Sequence, residues 1–238
     1  MTTIFTYPLS NAWVIASDKL ETNQTESERQ KRDHETRPHN TTTKISSKNG
    51  FVLGLSGSSA DIDKIEKILF SNINKTFKLK TFKKIVLQQY RENINSLDTE
   101  LLLIDSQKIK AYKISMKNLP TVLSDAQIES IEQGYIGSGA LKSQAKYQTS
   151  PLLDVLKDLR IKNSSSKKVK NLLAKTVIAM EILAKQDTQF TGHPAIYGCN
   201  IIIVIKNRIL SYKILPKRYV CKELNQTNWF NLEELEDA

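Results

Sequence analysis

The order of strand-forming and helix-forming stretches limits this chain more than any other feature of its sequence. Thr2 to Tyr7 (TTIFTY) and Ala12 to Ala16 (AWVIA) are β-branched and aromatic, and Pro8 to Asn11 separates them as a turn. A third strand, Phe51 to Leu55, follows the turn pair Asn49-Gly50. Gly57-Ser58-Ser59 ends it, and Ser58 or Ser59 caps a helix with Asp61 in its first turn. Ile62, Ile65, Leu69 and Ile73 then recur at helical spacing, and a second helical stretch carries Phe82, Val86, Tyr90 and Ile94. Leu101 to Asp105 and Lys110 to Ser115 form a hairpin around Ser106 to Lys108, and a short strand precedes Gly137-Ser138-Gly139. Helical pattern runs from Ala140, breaks at Ser150-Pro151 and continues to Leu159. After Asn163 to Ser166, a helix places Val169, Leu172, Leu173, Thr176, Val177, Met180 and Leu183 on one face. Cys199 to Ile205 and Ile209 to Leu215 close the pattern as strands around Lys206-Asn207-Arg208. Strand blocks alternating with helix blocks predict an α+β chain layered αββα. No second linker divides it, so one domain over 2–238 is expected.

One tract stands outside this pattern. Glu21 to Thr43 holds no apolar residue and contributes nothing to a core. It is expected to be an insertion, with Thr149 to Ser166 a second variable segment. The tract is nearly balanced in charge, so the net +10 of the chain (35 Lys and Arg against 25 Asp and Glu) lies elsewhere. That excess invites a nucleic-acid reading, centred on Lys75 to Lys84. No recognition motif or basic–aromatic stripe accompanies it, and a solvated helical face explains it as well. No nucleic-acid partner is expected. Only 2 cysteines occur, Cys199 and Cys221, which excludes a disulfide scaffold and fits a reducing compartment. Met1 to Ser10 has no signal-peptide pattern, and no apolar run approaches the length of a bilayer span. A cytoplasmic protein without a membrane partner is therefore expected.

The chemistry begins at the N-terminus. Methionine before a small side chain is ordinarily removed, which would leave Thr2 with a free α-amine. A threonine hydroxyl is a poor nucleophile without a base. An α-amine, with a reference pKa near ~8, supplies one within the same residue. Many inert proteins also begin Met-Thr, so this pattern says little by itself.

Its company says more. TTI, the strand after it, Ala16-Ser17-Asp18, Lys44 in TTTKI, Leu53 to Asp61 (LGLSGSSAD), Tyr135 to Gly139 (YIGSG), Asp187 and Thr191-Gly192 stand in an order that resembles the proteasome β-subunit family of N-terminal-nucleophile (Ntn) hydrolases. The likeness is greatest to simple bacterial subunits, and runs from Thr2 to about Tyr212. It implies a four-layer αββα sandwich with two antiparallel sheets between helical layers. It also implies a threonine endopeptidase that needs no cofactor or metal and assembles with copies of itself into rings. Peptides or unfolded proteins would be its substrates, and an ATP-driven unfoldase a possible partner.

The resemblance assigns roles residue by residue. Thr2 is the nucleophile. The Lys44 ammonium lowers the pKa of its amine and hydroxyl. Asp18 holds Lys44 by a charge-assisted hydrogen bond. The Gly57 N–H stabilises the oxyanion. Ser138, Asp187 and Thr191 belong to the group that orients the amine, and Leu55 lines the pocket for the residue before the scissile bond. Plain readings stand beside these. In them Asp18 caps a turn, Lys44 is a surface lysine, Ser138 satisfies a backbone group, and Asp187 ends a helix or makes a structural salt bridge. His193 sits in a loop before Pro194 with no Cys or His at ligand spacing, and Cys199 reads as core.

The chain also departs from the family. Its Asp18-to-Lys44 interval is longer, the Asp187-to-Thr191 interval is slightly longer, and His193 replaces a typical glycine. These departures keep two other readings open: a ring subunit without activity, and an amidohydrolase of the same fold acting on small amides.

Overall fold

Alternation with period two sorts each strand's side chains onto two faces, and here both faces of most strands are apolar. Such strands need cover on both sides, and the structure supplies it as four layers. The computed structural model describes residues 3–19, 44–57, 59–72, 84, 88, 100–115, 129–131, 134–137, 149, 152–162, 167–186, 192–214 and 235–237. The strands are β1 (Thr3–Pro8), β2 (Ala12–Asp18), β3 (Ile45–Lys48), β4 (Phe51–Ser56), β5 (Glu100–Asp105), β6 (Lys110–Ser115), β7 (Glu129–Ile131), β8 (Gly134–Gly137), β9 (Cys199–Ile205), β10 (Arg208–Ile214) and β11 (Leu235–Asp237). The helices are α1 (Ser59–Asn72), α2 (Lys167–Gln186) and the short α3 (Pro194–Tyr197).

One sheet has 6 strands in the order β11-β10-β9-β2-β1-β8, and the other has 5 in the order β3-β4-β5-β6-β7. Every pairing is antiparallel. Between the sheets lie Ile4, Trp13, Ile15, Ile45, Val52, Leu102, Ile104, Ile136, Ile202 and Val204. The opposite face of the 6-stranded sheet (Phe5, Tyr7, Val14, Ala16, Ile201, Ile203) packs against Val169, Leu172, Leu173, Val177, Met180 and Leu183 of α2. The expected helical face is therefore the buried one. Two stacked pairs, Phe5–Tyr7 and Phe5–Tyr135, line this layer at centroid separations of 5.9 and 6.0 Å. The polar groups buried in this layer find partners: Thr176 donates to the Leu172 carbonyl, the Tyr7 hydroxyl donates to Thr176 Oγ1 at 2.6 Å, and the Tyr135 hydroxyl bonds Thr149 Oγ1. Burial pushes the Tyr7 phenol far above its ordinary pKa.

The architecture is the αββα sandwich expected from the element order, with differences in detail. Ile45–Lys48 forms a strand, paired with β4 around Asn49-Gly50, where only β4 was expected. Its Ser47 and Lys48 are exposed because β3 is an edge, so the alternation that announces a half-buried strand is missing. β7 and β11 are likewise short edge strands without a sequence signal. The helical stretch around Phe82 to Ile94 lies outside the described residues, except that Lys84 and Gln88 are helical. No helix among the described residues is long and apolar enough to cross a membrane.

Hydrogen bonds tie the hairpin turns together at one pole of the sandwich. Ser106 N–H donates to the Gly50 carbonyl (2.9 Å), Asn207 N–H donates to the Ser106 carbonyl (3.0 Å), and Trp13 Nε1 donates to the Ile109 carbonyl (3.0 Å). The other pole carries the start of β1, the ends of β2, β4 and β8, and the start of β9.

Candidate active site

At this second pole the two sheets present strand ends rather than turns. Thr3 pairs with Gly137 across β1–β8, Asp18 pairs with Cys199 across β2–β9, and Ser56 pairs with Glu100 across β4–β5. The sheet registers thus place the ends of the motifs that stood far apart in sequence on one side of the molecule.

Asp18 is the centre of the group. Its carboxylate is fully buried, at 0% side-chain exposure, and Lys44 beside it is at 2%. Lys44 Nζ donates to Asp18 Oδ2 at 2.9 Å. The Gly192 amide donates to the same oxygen at 3.0 Å, and the Thr3 amide donates to Oδ1 at 2.9 Å. A carboxylate taken out of water needs such partners, and hydrogen bonds to an ionised acceptor are the strong ones. The ion pair also fixes where the ammonium stands. Lys44 is therefore no surface lysine, although it adjoins the polar tract. Its carbonyl accepts from Leu55 N–H at 3.1 Å, which registers it against the end of β4.

Two glycines flank the group. Gly57 follows β4 with φ +152°, and Gly137 ends β8 with φ +126°. Both lie in the positive-φ range that side-chain-bearing residues rarely adopt. Gly57 is partly exposed, so its backbone at the strand-to-helix turn is open to approach. The Gly137 amide donates to Glu100 Oε2 at 3.0 Å.

Leu55 is buried at 2% exposure and lies opposite Leu101 in β5. His193 lies in a loop before Pro194, as expected, and there its Nδ1 accepts from Ala195 N–H at 3.2 Å and caps α3. Its Nε2 stands 3.9 Å from Oε1 of the buried Glu181, which Lys185 also meets at 3.0 Å. Burial lowers the His193 pKa below the ordinary imidazole value; Glu181 opposes this and Lys185 adds to it. Cys199 is buried at the start of β9, and burial pushes its thiol up to about 12. It is core, as its sequence position suggested.

Thr2, Ser138, Asp187 and Thr191 lie outside the described residues. Of the expected site residues, the structure brings Asp18 and Lys44 into contact and sets Gly57 at the same pole. Sequence reasoning missed the Gly192 and Thr3 amides as ligands of Asp18, because backbone donors leave no trace in residue identity. It missed Glu100 as well, a single acid at the head of an apolar strand.

No family model matches the sequence, and no curated protein matches it. Among solved structures the chain is similar to the eukaryotic HslV from Trypanosoma brucei, with a TM-score of 0.52 and 16% identity over 86% of this chain and 99% of that one. It is also similar to the Anbu (Gly-1) mutant from Hyphomicrobium sp. strain MC1, with a TM-score of 0.58 and 11% identity over 90% of this chain and 87% of that one. At these identities the likeness is one of fold alone.

Proposed function

We propose that the chain is a threonine-type peptidase whose nucleophile is Thr2, exposed by removal of Met1. The observation that carries this reading is the double engagement of Asp18. Its Oδ1 holds Thr3 N, the nitrogen of the Thr2–Thr3 peptide bond, and its Oδ2 holds the Lys44 ammonium. A buried cation is thus tied to the residue directly bonded to Thr2. In water a surface ammonium would shift neighbouring groups little; in a site closed to solvent its field is stronger.

The steps follow from that geometry. The Thr2 α-amine accepts the proton of Thr2 Oγ as the oxygen attacks a peptide carbonyl. Lys44 favours the deprotonated forms of both groups. The Gly57 N–H takes the developing oxyanion. The α-amine then gives its proton to the leaving amine, an ester remains on Thr2 Oγ, and water hydrolyses it. Ser138, Asp187 and Thr191 orient the amine. Ser138 is bonded to Gly137, which pairs with Thr3. By the resemblance of its motifs, the chain is one domain over 2–238 that assembles into rings of its own copies. Peptides or unfolded proteins reach it, in that reading, through an ATP-driven unfoldase.

The deciding experiment is covalent labelling of the purified protein with a peptide epoxyketone or β-lactone, located by peptide mass. Label on Thr2, absent in Thr2→Ala, is the expected result. Retained Met1 on the mature protein refutes the mechanism. Free but unreactive Thr2 favours the inactive ring subunit, and turnover of small amides without peptides favours the amidohydrolase.

A further inference from the structure

Two side chains of the 5-stranded sheet reach across to the edge strand of the other sheet at the pole that holds Asp18. Glu100, at the head of β5, accepts from the Gly137 amide at 3.0 Å. Lys113, in β6, donates to the Tyr135 carbonyl at 3.1 Å and stands 3.6 Å from Glu100 Oε1. Both are largely withdrawn from water, at 13% and 27% side-chain exposure. Among the described strands, β8 is the edge of its sheet. Glu100 and Lys113 together satisfy one amide and one carbonyl there, as a pair of opposite charges that also attract each other.

The position of that clamp matters. Gly137 pairs with Thr3, whose amide is bound by Asp18, and it is bonded to Ser138. Glu100 itself pairs with Ser56, which is bonded to Gly57. One carboxylate therefore joins the backbone leading into Ser138 to the strand leading into the proposed oxyanion donor. Gly137 carries positive φ and has no side chain to fix it, so the site end of β8 needs an external anchor.

We infer that Glu100 is a positioning residue of the active site: its carboxylate fixes the Gly137 amide and so holds the paired strand ends Thr3 and Gly137 against Ser56, next to Gly57. This rests on the reading of Thr2 as nucleophile. Misplacing reacting groups by a fraction of their contact distance is costly even when every catalytic group is present.

The test compares Glu100→Ala with Glu100→Gln, which keeps an acceptor oxygen of the same reach. Two quantities are read: the rate of Thr2 labelling by a β-lactone, and hydrogen exchange at the Gly137 amide. Glu100→Ala is expected to slow labelling about tenfold or more and to speed Gly137 exchange by at least that factor. Glu100→Gln is expected to return both to within a few-fold of the parent. A residue needed only for stability would instead accelerate exchange throughout the core in both variants. If Glu100→Ala does not fold, Glu100→Asp, one methylene short of the amide, takes its place. Unchanged Gly137 exchange in the truncated variant, or fast exchange with an unaltered labelling rate, overturns the inference. A parent protein that takes no label refutes the Thr2 mechanism instead, and the exchange comparison still decides whether Glu100 holds β8.

Discussion

Replacing Asp18 by Asn removes one charge and almost no volume, which makes it a sharp probe of the site. The Asp18 carboxylate receives three N–H donors, from Lys44, Gly192 and Thr3, and both it and Lys44 are buried. Asn offers one acceptor oxygen and one NH2. If the oxygen faces Lys44 and Gly192, the NH2 confronts the Thr3 amide; if flipped, it confronts the ammonium. Either way a buried donor is stranded, and Lys44 loses its counter-charge. Breaking a buried pair from one side costs about 3–5 kcal/mol. At about 2–4 °C per kcal/mol for a chain of this size, the melting point falls by roughly 6–20 °C. The assay is urea unfolding followed by the fluorescence of the buried Trp13, comparing midpoints at equal slope. The double variant Asp18→Asn/Lys44→Met removes the stranded charge and is expected to regain at least half of the loss while remaining unable to cleave or be labelled. Stability and chemistry would then separate. An Asp18→Asn variant within about 1 kcal/mol of the parent, or a double variant less stable than the single one, refutes the buried pair as the organiser of this pole.

Two further outcomes follow from buried titratable groups. His193 has a folded-state pKa below its ordinary value, so the unfolded chain binds a proton that the folded one refuses. Its contribution is complete above the unfolded pKa of about 6.5 and is lost as pH falls from there toward the lowered value. His193→Asn keeps a side-chain acceptor for Ala195 N–H and should flatten that part of a stability–pH profile measured by thermal melting; an unchanged slope refutes the assignment. Cys199, with its thiol pushed up to about 12 and its side chain buried, should react with iodoacetamide at pH 8 at least about a hundredfold more slowly than a free thiol until urea unfolds the protein. Rapid native modification of the peptide carrying Cys199 would contradict its place in the core.

Where the chain is periodic, its structure is legible from the sequence. The β5–β6 and β9–β10 hairpins each join a nearly continuous apolar strand, β5 or β9, to a more polar partner through a polar turn. α2 has an apolar stripe that the structure buries in full. β3 escapes because only Ile45 of ISSK reaches the core, the rest being edge or solvent. The site was legible only in part. Asp18 and Lys44 are recognisable as a pair from the order of motifs, since nothing local in TTTKI says that its lysine is buried. Their other partners depend on the fold. The Gly192 amide reaches Asp18 from the far side of α2, at a sequence separation of 174. Glu100 gains its meaning only when the second sheet sets it against Gly137.

The bond between Asp18 and Lys44 also closes the chain on itself across 26 positions. The entropy lost in bringing two points of an unfolded chain together grows only with the logarithm of their separation, about 0.6 kcal/mol for each doubling. Lengthening or trimming the polar tract between them therefore changes the free energy of assembling the pair by far less than the several kcal/mol at stake in the pair itself. The tract can vary in length while its two ends stay fixed. In this fold, the contact proposed to drive chemistry is also the knot that insulates that chemistry from whatever the chain carries between Asp18 and Lys44.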